Sequence, residues 1–242
     1  MKTYNAPEER YEKEKGRGLA AAFPLAKVFL YFAAGLLVTG GVGWGWPYFL
    51  LALSNNNADV LVTAYTISVI ISLIAILPLA LVIGIKAFRP KTALMTVCYF
   101  LYAVALGIFI SSVFLYLDAG EITLAFLITG GAMLVMGVIG TVFKRIGMLV
   151  PFLMTALLGV IMISLINSFF FNETIYWVVD FVFFAIILLI TAVDINRIKS
   201  MASGGWLEGD NNLAVYAAYT LLTDFIMIFI RVATYLSLTR SR

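Results

Sequence analysis

Histidine is absent from the 242 residues, cysteine occurs once, and only 12% of the side chains are charged. The first absence removes the commonest base near neutral pH and the commonest metal ligand, so any proton response falls to carboxylates. The single Cys98 cannot form an intrachain disulfide; it sits inside the apolar run MTVCYFLYAV and reads as a small packing residue. A soluble domain of this size carries about a quarter charged residues. With 63% hydrophobic residues, the composition points instead to a membrane protein. The net charge of +3 is spread over the ends of apolar runs, without the basic-aromatic patch of a nucleic-acid binder. No His-rich metal cluster and no nucleotide-binding glycine motif occur, so no enzyme is expected and no cofactor is implied. The last spans contain no lysine, which disfavours a retinal protein. No cleavable secretory signal is evident, because the first apolar run starts only at Lys27 and continues too long for a signal core.

What is present is length of apolar chain. After a polar leader, residues 1–26, seven apolar segments run at about 27–53, 60–85, 92–117, 122–143, 147–171, 174–194 and 212–236, followed by a short basic tail, 237–242. Each segment has at least about 20 residues, enough to cross a hydrocarbon core of roughly 30 Å as a helix. The runs are too long and do not alternate, which excludes a β-barrel. The expected fold is therefore an all-α, seven-transmembrane-helix bundle spanning residues 27–236, with the lipid bilayer as its solvent. The leader reads as a short surface helix or a disordered arm. The breaks alternate in charge: the leader, GIKAFRPK and Lys144–Arg145 are basic, whereas LSNNNAD, LDAGE and FNE lack Lys and Arg. By the positive-inside rule this places the N terminus in the cytoplasm. Arg197 and Lys199 continue the pattern; Arg240 and Arg242 do not, which keeps a re-entrant last segment open.

Small residues recur every four positions at Gly35, Thr39 and Gly43, and again at Gly41 and Gly45; segment four carries Gly130, Gly131, Gly137 and Gly140. Such stripes let membrane helices approach closely. Trp44, Trp46 and Tyr48, and Tyr176 with Trp177, suit interfacial aromatic belts.

Four charges interrupt the last two spans: Asp180, Asp194, Asp224 and Arg231. A charge at the centre of a membrane helix costs about 2.5–3.5 kcal/mol on insertion scales, so each needs a partner, water or a proton. Asp180 and Asp194 lie about 40° apart around their helix and roughly 21 Å apart along it; Asp224 and Arg231 are separated by about 20° and 10 Å. If the two stripes face each other, the charges share one interior polar track. Asp194 reads either as an acid closing segment six beside Arg197 or as half of a device with Asp224. Asp224 reads as a stray acid, a static salt-bridge partner or a proton- or cation-handling group. Arg231 reads as a snorkelling or packing charge, Asp180 as an exposed or mouth-lining acid. Asn167, with Ser164 and Ser168, reads as interhelical glue or as a ligand. Two carboxylates near 3 Å would share one proton: protonated they latch helices together, and deprotonated they repel and offer oxygens to calcium or another hard cation.

The stretches DINRIK and LLTDFIMIFIRVATYL, within a seven-span plan from about residue 27 to 236, resemble the C-terminal signature of the Bax inhibitor family, the transmembrane Bax-inhibitor-motif proteins. The resemblance implies a seven-helix bundle with a central C-terminal helix, in the bacterial branch of the family and hence in a bacterial cell membrane. It implies a passive calcium leak, with Asp194 and Asp224 as the pH-sensing pair and transient calcium ligands, and with Arg89 as a latch to them. Arg89 equally serves as a topology charge in its basic loop. Two departures stand out. The second span, VISLIAILPLALVIG, lacks the acid that family members often carry and has Pro78 instead; the stretch from Ile195 to Asn211, with GGWLEGDN, reads as a longer loop than usual.

The expectation is a pH-sensitive cation leak, calcium foremost, gated by Asp194 and Asp224 with Arg89, its path touching Asp180, Asn167 and Arg231. The rivals are a proton-coupled transporter for a small solute and a regulatory membrane protein that transports nothing. The sequence names no protein partner.

Overall fold

A computed structural model describes residues 6–55, 57–86, 93–143, 145–204 and 211–240. Seven helices follow in order: α1 (Ala6–Leu53), α2 (Ala58–Lys86), α3 (Ala93–Tyr116), α4 (Ala119–Val142), α5 (Val150–Phe170), α6 (Glu173–Ser203) and α7 (Asn211–Arg240), with one 3-10 turn, Ile146–Leu149, before α5. No strand occurs among the described residues. All seven are long and apolar enough to cross a membrane, where a helix satisfies its own backbone polar groups.

Local chemistry sets several ends. Asn57 opens α2 by accepting the amides of Asp59 and Val60 at 3.1 and 3.4 Å. Glu121 of α4 accepts the Asp118 amide at 2.9 Å, one half of a capping box. At the α5–α6 turn Phe171 takes the left-handed conformation, φ 51°, and Asn172 caps α6 by accepting the Ile175 amide at 3.1 Å.

Three boundaries differ from the sequence reading. The leader is not a separate element: α1 starts at Ala6 and continues unbroken through the first span. Segment six does not stop at Asp194; α6 runs on to Ser203, so most of the stretch read as a long loop is helix. Its reason is packing, since Ile198 and Ala202 are buried and the side chains of Asn196 and Lys199 donate to α4 carbonyls, at 2.6 Å to Gly140 and 3.1 Å to Thr141. Finally, α7 is one continuous helix of 30 residues, not a re-entrant hairpin.

The helices form two groups around α7, which packs against α1, α3, α4 and α6. In the apolar stretch of α7, 67% of the residues are buried, against 11% in α2, α4 and α5. The C-terminal helix is the core of the bundle. On one side α1 lies along α3: Thr39 donates to the Ala103 carbonyl at 3.0 Å, and a Cβ at Gly107 would fall 2.7 Å from Val42 and 2.8 Å from the Thr39 carbonyl. The Tyr99 hydroxyl fills the space that Gly35 leaves and donates to the Tyr31 carbonyl at 2.8 Å. On the other side α4 meets α6 at Gly140, where a Cβ would overlap the Ala192 carbonyl oxygen. The other small-residue stripes are not used in this way: Gly41, Gly45, Gly130 and Gly131 have open space around them, and Gly137 makes an ordinary contact with Ile195.

Candidate functional site

The antiparallel pair α6–α7 carries the charges, and its register decides which of them meet. Thr191 lies twelve residues before the end of α6 at Ser203, and Asp224 thirteen after the start of α7 at Asn211. At 1.5 Å per residue they stand level within about 2 Å, whereas Asp194 lies about 5 Å nearer the α6–α7 connection. The same count sets Asp180, 23 residues from Ser203, level with Tyr235, 24 residues from Asn211, and close to Arg231, at 20. Two polar clusters result, separated along α7 by about 10 Å in which Phe225, Ile226, Ile228 and Phe229 are buried.

The cluster nearer the α6–α7 connection is built on Asp224. Asp224 is 5% exposed, and its Oδ2 has no hydrogen-bond partner among the described residues. The Thr191 hydroxyl and the Asp194 charge, both from α6, face it. Asp194 is half-buried and feels the charge of Arg197 one turn on, but no ion pair joins them among the described residues. Two phenols also face Asp224, Tyr102 from α3 and Tyr219 from α7 itself. The Tyr102 hydroxyl lies 3.0 Å from Thr223 Oγ1. Because the Thr223 hydroxyl already donates to the Tyr219 carbonyl at 2.9 Å, Tyr102 is the donor of that bond. Tyr216 stands next on α7, with Arg197 over its ring at 6.0 Å. A carboxylate pair is thus ringed by hydroxyls inside the bundle. This arrangement can hold a proton or a hard cation with neutral oxygens and water to complete its shell. Among the described residues no group of three or more carboxylates and thiols gathers as a metal cluster. Arg89 lies outside the described residues.

The second cluster decides between alternatives the sequence leaves open. Asp180 is not exposed: it is 8% exposed, lines a cavity and forms an ion pair with Arg231. Tyr235 donates to its other oxygen, Oδ2, at 2.7 Å. Arg231 accordingly does not snorkel away; it points across to α6 with its guanidinium 4.7 Å from the Phe183 ring. The register puts these groups at one height, which neither helix alone reveals. Both line a cavity of about 830 Å³ between α5, α6 and α7. Asn167 lines it too, but its polar atoms serve the turn: Nδ2 donates to the Asn172 carbonyl at 3.1 Å, and Oδ1 accepts the Asn172 amide at 3.2 Å.

Sequence reasoning had missed Thr191, Tyr102, Tyr219 and Tyr235. A signal existed for two of them, since Tyr235 follows Arg231 by one turn and Thr191 precedes Asp194 by three residues on the buried face of α6. Tyr102 has none, because it comes from a helix more than a hundred residues away in sequence.

Against this geometry, the sequence profile of the family described as "Inhibitor of apoptosis-promoting Bax1" matches residues 24–241. The chain belongs to the Bax inhibitor family. It is 29% identical over 212 residues to the inner membrane protein YbhL of Escherichia coli, covering 85% of this chain and 87% of the relative. An uncharacterized protein of Borreliella burgdorferi is 28% identical over 224 residues, 90% and 92% of the two chains. The protein YrjE of Lactococcus lactis is 26% identical over 219 residues, 90% of each. All seven spans of this Bax inhibitor family member fall within the matched residues 24–241, and it is an integral membrane protein.

Proposed function

We propose that the protein is a pH-sensitive passive cation leak, with calcium as the substrate and Asp194 and Asp224 as the gate, set in a bacterial cell membrane with the N terminus in the cytoplasm. The observation that carries this reading is Asp224: a carboxylate buried in the central helix, one oxygen unpartnered, facing a second carboxylate. A packing residue would not leave that oxygen without a donor, since a buried unsatisfied polar group is destabilising. The other groups facing Asp224 are the neutral hydroxyls of Thr191, Tyr102 and Tyr219. Arg197 lies one turn from Asp194 on α6, but among the described residues neither acid forms an ion pair. With a proton between them, α6 and α7 stay together. Loss of that proton as pH rises sets two negative charges against each other, parts the helices and offers oxygens to an incoming cation. Arg89, in the basic loop, is proposed as the cytoplasm-side latch, and Asp180, Asn167 and Arg231 as residues along the path.

The test is calcium influx into proteoliposomes. Influx is expected to rise as pH increases through neutrality, and Asp224→Asn is expected to flatten that profile at unchanged folded yield. A flat wild-type profile would remove the gate. Solute exchange driven by a proton gradient would replace the leak with a carrier.

A further inference from the structure

The cavity beside the α5–α6 turn is separate from the aspartate pair, and its floor makes a strict demand on what fills it. Arg231 is 29% exposed and lines this cavity of about 830 Å³. A guanidinium carries five N–H donors. One group goes to Asp180, and the Phe183 ring covers a face. No other described residue accepts from it. Donors left against acyl chains have no acceptor, a condition membrane proteins avoid. The cavity therefore needs a polar content, and Ser164, Asn172 and Glu173 on its wall extend the polar lining to the α5–α6 end. At about 30 Å³ per molecule, the space holds on the order of 25 waters.

We propose that this cavity is an aqueous vestibule for a hydrated cation, opening at the α5–α6 end, and that Asp180, Arg231 and Tyr235 form the electrostatic plug at its floor. The floor lies about 10 Å along α6 from Glu173. Both Asp180 oxygens are engaged, one by Arg231 and one by Tyr235, so an arriving cation finds a guanidinium and no free carboxylate oxygen. Beyond it lies the apolar layer of Phe183, Ile187 and Ile228. The direction of flux rests on the cation-leak reading; the water content does not.

Charge signs separate a plug from a structural pair. Arg231→Gln removes the repelling charge and frees an Asp180 oxygen, whereas Asp180→Asn leaves the guanidinium unneutralised. In proteoliposomes at matched amounts of monodisperse protein, calcium influx is expected to rise about tenfold in the first and to fall by a similar factor in the second. Changes in the same direction overturn the plug. The vestibule is tested apart from flux, in full-length protein with Cys98→Ser. Ser164→Cys stands on the cavity wall, and Met162→Cys, on the same helix and 57% exposed outside the cavity, is the control. A trimethylammonium methanethiosulfonate reagent, supplied on both sides of the membrane, reacts only with a hydrated, ionising thiol. Ser164→Cys is expected to react at least about ten times faster, and equal rates overturn the vestibule. A leaking wild type with an unreactive Ser164→Cys keeps the leak and removes the vestibule. A reactive Ser164→Cys in a protein that passes no calcium, even as Arg231→Gln, removes the leak and the plug and keeps the vestibule.

Discussion

At Gly140 the main chains of α4 and α6 touch: a Cβ would overlap the Ala192 carbonyl oxygen and press on the Asn196 amide at 3.3 Å. Both obstacles are backbone, so neither can turn aside. Gly140→Ala is expected to lower stability by about 1–3 kcal/mol, read as a reduced thermal midpoint in detergent. Gly130→Ala, with nothing within 4 Å, is expected to be neutral or to gain up to about 1 kcal/mol from helix propensity. Asp224 shows the opposite relation between burial and use. Its Oδ2 gains nothing from the fold, and replacing a buried unpartnered polar group by an apolar one is often neutral or stabilising. Above neutrality, where the two acids repel, Asp224→Leu is therefore expected to melt no lower than the wild type, and to lose the pH response of influx. A large drop in midpoint would mark the acid as a packing residue instead.

Among the elements, the α5–α6 hairpin depends most on a few polar atoms. Among the described residues helix α5 packs mainly on α6 and the 3-10 turn before it, so the connection carries much of its attachment. Asn167 makes two hydrogen bonds to Asn172, and Asn172 in turn caps α6. Asn172→Ala is expected to cost about 1 kcal/mol through the lost cap. Asn167→Ala is expected to cost about 1–2 kcal/mol, because it removes both hydrogen bonds that tie the end of α5 to Asn172. Limited proteolysis at the turn, faster in both variants, would report it. The extension of α6 past Asp194 is an element-scale fact with a functional consequence. Asp194 does not end a span; nine more helical residues clamp it to α4 through Asn196 and Lys199. Motion at Asp194 must therefore move α4 as well.

For the whole molecule, α7 stands between α1–α3 and α4–α6, and opening at the aspartates means parting α6 from α7. Hydrogen exchange in Ile195–Ser203 is expected to quicken from about pH 6 to 8 beyond the intrinsic base-catalysed rise, and to lose that excess in Asp224→Asn. Equal profiles would place the pH response elsewhere. The seven crossings were legible because apolar length is a local property: lipid requires about 20 apolar residues of helix whatever the neighbours are. The helical faces of Asp180, Asp194, Asp224 and Arg231 were legible for the same reason, as periodicity needs no partner. Other features belong to pairs of helices. Among them are the register that sets Asp224 level with Thr191, the union of Arg231 with Asp180, and the selection of Gly35, Gly107 and Gly140 from among many small residues. Sequence alone determined what must be buried in the membrane and on which side of each helix the charges lie. Only tertiary structure decided which charges meet, because axial offset and helix–helix distance come from interlocking side chains hundreds of atoms apart along the chain, and no local preference encodes them.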